Sequence, residues 1–347
     1  MTDHAKTSTN PPRRLTQGKA PFRLLAAVLL LELLVTAPLL ADEEGTGTMS
    51  LVFENDLFYD LDQHYTNGLG LIWIPDEKER PPDWARHAAR LIPWFPKDKE
   101  PRHGYAIGQK MYTPTDITEK NPPADARPYA GWLYGTMGLG VQTDARMDQV
   151  ILTIGMVGPA SLAEQSQKIL HKMTGSDKPA GWDSQLRNEP GLILTYQHSW
   201  RHLTGSLGDL DVDLTPYVGA TIGNIFTYAN SGVTMRYGRL LAADYGPLRL
   251  QPSSPGSGFF KPAHHFKWYL FAGFDGRLVG HNIFLDGNTF RDSRSVDKYL
   301  LVADLQIGIV LTWHTTRISY THVLRTREYK SQESNDDFGA ITLTIPF

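Results

Sequence analysis

Apolar and polar residues alternate along several long stretches of this chain. Within 192–201 the even positions are apolar or aromatic apart from one histidine, while Thr195, Gln197 and Ser199 occupy odd positions. Within 301–312 the odd positions are all apolar, and Asp304 and Gln306 lie between them. A two-residue period predicts β-strands with one apolar face. Runs of about ten residues exceed the usual strand of a soluble sheet and are typical of transmembrane β-barrels.

The same pattern predicts an all-β fold, a transmembrane antiparallel β-barrel of about 12 strands. The predicted strands are 47–54, 66–75, 103–112, 131–143, 147–157, 189–202, 209–224, 232–240, 264–280, 299–312, 316–326 and 337–347. An even number brings both ends of the chain to one side of the membrane, as in bacterial barrels. The short connections should then face the periplasm and the long loops the exterior. Two connections, 76–102 and 241–263, are long yet fall on the periplasmic side, and 83–95 is suited to a short amphipathic helix.

The N-terminal residues predict a cleaved secretory signal. Arg13, Arg14, Lys19 and Arg23 precede an apolar run that ends at Ala41, before an acidic stretch. This order is that of a signal peptide. We therefore expect residues 1–41 to be removed and residues 42–347 to form a single outer-membrane barrel domain.

Composition and the terminal residue limit the kinds of site and partner that the chain can have. The chain has no cysteine, so disulfides and thiolate metal sites are excluded. Its net charge of −3 argues against a nucleic-acid partner. Phe347 ends an alternating strand, which resembles the terminal signal that the barrel-assembly machinery recognises in outer-membrane proteins.

Two polar segments are candidates for chemistry. The loop 54–68 contains three Asp, two Asn, a Thr, a Glu and a His, and is longer than a hairpin turn requires. Segment 158–175 predicts a short helix in an extracellular loop, with Ser161 and Glu164 as a capping box and Gly175 as its stop. Glu164, Gln167 and His171 should share one face, which we expect to lie against the barrel wall.

These residue types suit two kinds of chemistry. A histidine can deprotonate water or a hydroxyl group, because the ordinary pKa of its side chain lies near 6.5. Carboxylate, amide and hydroxyl oxygens can hold a hard cation such as calcium. Either segment, taken alone, is more simply explained as a solvated loop.

Several motifs, taken together and in order, resemble the lipid A 3′-O-deacylase (LpxR) family over the whole chain after the signal. The motifs are Glu54-Asn55-Asp56 with Tyr65-Thr66-Asn67-Gly68, Gly108-Gln109 with Tyr112-Thr113-Pro114, Gly158-Pro159 with Gln167 and His171, Gly181-Trp182-Asp183-Ser184-Gln185-Leu186, Asn188-Glu189-Pro190, and Phe284-Leu285-Asp286-Gly287-Asn288. The resemblance implies a twelve-stranded outer-membrane barrel. It also implies calcium-dependent hydrolysis that releases the 3′-linked acyloxyacyl group of lipid A, with the active site on the extracellular side.

The resemblance further implies roles for individual residues. His171 would activate water, and Asn55 and Asp56 would hold calcium or orient the histidine. Thr66 and Gln167 would be further calcium ligands. The resemblance also implies supporting or substrate-binding positions at Lys110, Thr66, Gln109 and Glu189.

Two other functions are compatible with the pattern. An outer-membrane phospholipase with a His–Ser pair would need Ser166 or Ser184, although neither lies in a Gly-x-Ser-x-Gly elbow. A non-enzymatic barrel, either a channel or an adhesin, would leave the polar loops solvated.

Overall fold

The computed structural model describes the chain from Gly47 onward, with gaps. The described residues are 47–55, 64–76, 79–143, 145–201, 203–239, 241, 246, 266–313 and 316–347. The predicted signal peptide and Asp56 lie outside them. Within these residues, no helix has both the length and the apolar character needed to cross a membrane.

Strands dominate the described part of the chain, and they form one antiparallel sheet. They are β1 (Gly47–Asn55), β2 (His64–Pro75), β3 (Arg102–Thr113), β4 (Ala130–Gln142), β5 (Arg146–Val157), β6 (Glu189–Trp200), β7 (Leu203–Leu207), β8 (Leu210–Gly223), β9 (Phe226–Gly238), β10 (Lys267–Asn282), β11 (Leu301–Trp313), β12 (Thr316–Arg325) and β13 (Asp336–Pro346).

The sheet closes on itself at two places. β1 pairs with β13, from Thr48 opposite Pro346 to Asn55 opposite Gly339, and β6 pairs with β8. β7 pairs with β8 beyond the stretch of β8 that pairs with β6, so β6 and β7 occupy one strand position in the wall. The closed barrel therefore has twelve strands. The predicted fold class and strand number are therefore confirmed. The backbone N–H of Phe347 donates to the carbonyl of Gly47 at the closing seam (3.0 Å), whereas its recognition by the assembly machinery stays a prediction.

One end of the barrel carries most of the long connections, and we call it the loop end. It holds 114–129, 158–188, 283–300 and 326–335, as the parity of the strands predicts. One connection here is shorter than expected: β9 begins at Phe226, six residues before the predicted strand, and only 224–225 separate it from β8. At the opposite end, which we call the turn end, β4 is followed by β5 and β11 by β12 after only a few residues.

Three α-helices lie among the described residues: α1 (Asp83–Leu91), α2 (Ala163–Thr174) and α3 (Ile283–Asp286). α1 confirms the amphipathic helix predicted at the turn end. α2 confirms the loop helix, and Gly175 ends it with a φ of 71°, as expected. The predicted capping box is wrong: the cap position is Leu162, and the Ser161 hydroxyl instead donates to the Gly158 carbonyl (2.6 Å) within a preceding 3-10 turn.

The two faces of the barrel wall differ in chemistry. Along β6, Leu192 and Leu194 are exposed and face outward, while Ile193 and Gln197 are buried and face the interior. Alternation of side chains across a strand explains this difference.

Charged residues fill much of the interior. The Asp304 carboxylate accepts hydrogen bonds from Arg277 (2.8 Å) and from Arg325 (2.9 Å for each of two contacts), and Arg127 donates to Glu328 (2.9 Å). Buried charges are tolerated only when they are paired in this way. Paired charged side chains therefore pack much of the interior that the described residues form.

Candidate active site

The helix α2 lies on the outside of the barrel, over β3 and β4. Ile107 of β3 is exposed on the outer face, so Gln109 and Met111 face the same way. Gly131 of β4 stands opposite Met111 and shares this face. A Cβ atom added to Gly131 would lie only 2.3 Å from the Cβ of Ala163. A glycine is therefore needed here for the helix to approach the wall.

α2 presents two polar side chains to the wall and a mixed apolar and cationic side to the surroundings. Gln167 and His171 are buried one turn apart on the side that packs on the barrel. Leu162, Ile169 and Met173 are 54, 62 and 65% exposed. The prediction that the polar face would be held against the wall is confirmed for Gln167 and His171.

A backbone carbonyl fixes the orientation of the buried His171 ring. Gly175 turns the chain back at the end of α2, and the Nδ1 atom of His171 lies 2.6 Å from the carbonyl oxygen of Asp177. A carbonyl oxygen only accepts hydrogen bonds, so Nδ1 must carry the hydrogen. In the neutral ring the lone pair is then on Nε2, which is the arrangement that a general base requires.

The Gln167 amide is oriented by Trp182. The Nε1–H of Trp182 donates to Oε1 of Gln167 (2.7 Å), and an indole N–H can only donate, so the two ends of the amide are distinguished. Nε2 of Gln167 is buried and has no hydrogen-bond partner among the described residues. Trp182 is itself held by packing against Tyr129, with ring centroids 5.0 Å apart. The site thus contains an oriented amide whose N–H groups remain available.

Two asparagines are buried on the outer face near the same end of the barrel. Asn55 of β1 stands directly opposite Asn67 of β2, and Asn67 stands opposite Met111 of β3. The register shifts between Tyr65 and Asn67, so Thr66 lies at a bulge. Asn55, Asn67 and Met111 therefore form a row that continues to the wall beneath α2. A bulge in this position locally redirects the backbone, as is common beside active sites.

The described side chains supply only some of the oxygen ligands that a hard cation such as calcium needs. The amide oxygens of Asn55 and Asn67 are ligand types that calcium accepts. Asp56 lies outside the described residues, and the side chain of Thr66 is not described. In the described ranges no group of three or more His, Asp and Glu side chains is arranged to hold a metal. The carbonyl oxygen of Gln167 is engaged by Trp182, so this residue fits a metal-ligand role poorly.

The other predicted residues are divided between the two faces. Gln109 is on the outer face, where its Nε2 donates to the Ser161 carbonyl (2.6 Å) and fastens the turn that precedes α2. Lys110 is the next residue on β3 and belongs to the inner face, where it is buried. The structure therefore separates Lys110 from His171 by the barrel wall.

Glu189 also lies on the inner face. Its carboxylate accepts hydrogen bonds from Asn224 and Asn288 side chains (3.1 Å each) and from the backbone N–H of Thr289 (3.2 Å). These contacts anchor the loop that follows β10 at the mouth of the barrel. Glu189 is not brought together with His171.

Three contributors to the site were not singled out from sequence: Asn67, Asp177 and Trp182. Asn67 sits in a quoted motif, and its pairing with Asn55 follows once the hairpin register is known. Asp177 acts through its backbone, for which a sequence carries no signal. Trp182 could have been found as an aromatic residue within a polar loop, where its N–H needs an acceptor.

One family model and one solved structure agree with this architecture. A family model described as "Outer membrane protein LpxR" matches residues 24–347. LpxR from Salmonella typhimurium superposes with a TM-score of 0.72 at 19% identity, covering 86% of this chain and all of that one. The β domain of the Bordetella autotransporter BrkA and the translocator domain of NalP from Neisseria meningitidis give TM-scores of 0.43 and 0.36 at 8 and 9% identity, covering 88 and 96% of this chain and all of theirs. No curated protein matches the chain.

Proposed function

The chain belongs to the LpxR family of outer-membrane proteins and is thus a lipid A deacylase, and we propose that it hydrolyses the ester of the 3′-linked acyloxyacyl group with His171 as general base. The observation that carries this mechanism is the contact between Nδ1 of His171 and the Asp177 carbonyl. It leaves Nε2 as the basic atom on the buried side of α2.

The proposed reaction begins with removal of a proton from water by Nε2 of His171. The resulting hydroxide attacks the ester carbonyl carbon and forms a tetrahedral intermediate. The Asp177 carbonyl stabilises the imidazolium that has formed, because it accepts the hydrogen bond from Nδ1–H. The intermediate then expels the 3′ oxygen of the sugar, which takes the proton back from Nε2. The products are a free acyloxyacyl acid and a sugar hydroxyl group.

Charge on the carbonyl oxygen needs stabilisation in the same step. We assign Nε2–H of Gln167 to this oxygen, since the amide is oriented by Trp182 and its N–H groups are unused within the described chain. Preorganised donors of this kind often make the largest single contribution to catalysis. Calcium, when bound by Asn55, Asp56, Thr66 and Asn67, would polarise the same carbonyl.

The position of the site suits a substrate that resides in the membrane. α2 lies on the lipid-facing wall and not in the lumen, and its exposed side combines Ile169 and Met173 with the cationic Lys168 and Lys172. A lipid in the outer leaflet can therefore reach the space between α2 and the wall by lateral movement. This arrangement requires the loop end to face the exterior of the cell, which is the orientation that we propose.

The mechanism is tested with purified enzyme, lipid A and calcium in detergent. Wild-type protein should release the 3′ acyloxyacyl unit as a mass loss from lipid A, while His171→Asn should be at least a thousandfold slower. His87→Asn is the matched control, because His87 also places Nδ1 near a backbone carbonyl (2.7 Å from Asp83) but lies exposed on α1. Equal rates for His171→Asn and wild type would refute the role of His171. Hydrolysis of phospholipid in place of lipid A would instead indicate a phospholipase.

A further inference from the structure

The lipid-facing wall on the far side of the barrel from α2 contains a groove. Its floor is a row of small residues on three adjacent strands: Gly276 of β10 stands opposite Ser231 of β9 and Ala303 of β11. They share the outer face with Phe274 and Leu278, which are 51 and 55% exposed. The floor therefore lies below the bulky residues around it.

Bulky side chains flank this floor along the strands. Leu278 is paired with Leu301, which is 73% exposed, on the side nearer the loop end. Phe274 is paired with Leu305, also exposed, on the side nearer the turn end. The groove has a cavity volume of about 900 Å³. Ligand pockets commonly have volumes of about 300–1,000 Å³, so this groove is large enough to hold a lipid segment.

The rim at the loop end is polar and cationic. Arg327 lies over the ring of Tyr299, 5.6 Å from its centroid, and both residues line the groove together with Asn335. All three belong to loops at the same end of the barrel as α2. An apolar trough capped by a guanidinium, a phenol and an amide matches an amphiphile with acyl chains and an anionic sugar head.

The location limits which lipid can occupy the groove. It continues the lipid-facing surface of the barrel, so its occupant must come from the membrane. It lies toward the loop end, which the proposed orientation places in the outer leaflet. α2 covers β3 and β4, and the groove covers β9, β10 and β11, so three strands separate them in one direction and four in the other. One lipid molecule therefore cannot fill both places.

We propose that this groove is a second, non-catalytic binding site for lipid A, with an acyl chain over Gly276 and a phosphate at Arg327. This proposal depends on the proposed function for the identity of the lipid, but not on the mechanism by which that lipid is hydrolysed. It keeps a lipid A molecule bound to the wall opposite the active site, independently of turnover.

Filling the groove tests the proposal. A Cβ atom at Gly276 would meet nothing closer than 3.8 Å, so Gly276→Leu projects into the groove without backbone strain. Ala272→Leu is the matched control, because Ala272 is exposed on the same face of β10 but does not line the groove. Both are made in protein carrying His171→Asn, and bound lipid A is counted by native mass spectrometry in detergent. The groove-filled protein should retain one lipid A fewer than the control.

Three further measurements complete the test. Arg327→Gln should weaken binding of phosphorylated lipid A by about fivefold, the size expected for one exposed charge pair, and leave binding of dephosphorylated lipid A unchanged. With His171 intact, Gly276→Leu and Ala272→Leu should deacylate lipid A equally fast, which separates this site from the active site. Equal lipid A counts for the filled and control proteins would overturn the proposal. Retention of phosphatidylethanolamine in place of lipid A would overturn it as well.

Discussion

Replacement of Gly131 by alanine should displace α2, which carries the proposed general base, without disturbing the barrel. The added Cβ would lie 2.0 Å from Oγ of Ser161 and 2.3 Å from Cβ of Ala163. Comfortable contacts between such atoms begin near ~3.5 Å. The start of α2 must therefore move outward by roughly 1–1.5 Å. Displacements of about 1 Å at a catalytic group can cost about a hundredfold in rate.

We expect Gly131→Ala to lower kcat for lipid A deacylation by about a hundredfold. Gly135→Ala is the control on the same face of the same strand, because the nearest atom to its added Cβ is 3.9 Å away. Both proteins should keep the heat-modifiable migration of a folded barrel, since the clash involves a loop and not a neighbouring strand. Full activity in Gly131→Ala, with the barrel intact, would refute the position of α2 described here.

Three other predictions follow from single contacts. Trp182→Phe removes the donor that orients Gln167, so kcat should fall about tenfold while thermal unfolding changes little; an unchanged kcat would contradict the role of this hydrogen bond. Gln167→Glu removes the N–H donor, so kcat should fall about a hundredfold or more, with calcium binding by calorimetry unchanged; tighter calcium binding would instead make this residue a metal ligand. Burial alone would raise the pKa of Glu328, yet the Arg127 and Arg325 guanidiniums hold it below its usual range. A carboxylate whose pKa is lowered in the fold stabilises the protein above the pKa of the unfolded state, and this stabilisation is lost as the pH falls through the pKa of the folded state. Acidification should therefore lower the unfolding temperature of the wild type more than that of Glu328→Gln. Equal acid sensitivity of the two proteins would contradict this.

The strands could be predicted from sequence because outward and inward positions differ in chemistry. In β6 and β11 the apolar alternation continues for the length of a membrane crossing, and both strands were located to within two residues at their starts. β9 was predicted six residues late, because its first residues do not alternate clearly. Its two-residue connection to β8 also lacks the glycine that would mark a tight turn.

Some residues of the candidate site could be predicted from sequence, but its place on the barrel could not. The helix, its glycine stop and His171 follow from local patterns. The wall that α2 covers depends on the path of a long loop, which sequence patterns do not determine. Strand alternation does show that Gln109 and Lys110 cannot face the same site, and the observed faces follow this rule. The backbone contact from Asp177 depends on the turn after α2 and has no sequence signature.

The most direct test of the account is the mass of lipid A from cells that express the protein. Outer membranes carrying the wild type should contain lipid A that has lost the 3′ acyloxyacyl group. Membranes carrying His171→Asn at the same level of folded barrel should contain intact lipid A. Intact lipid A in both, with purified wild type also inactive on lipid A, would contradict the account.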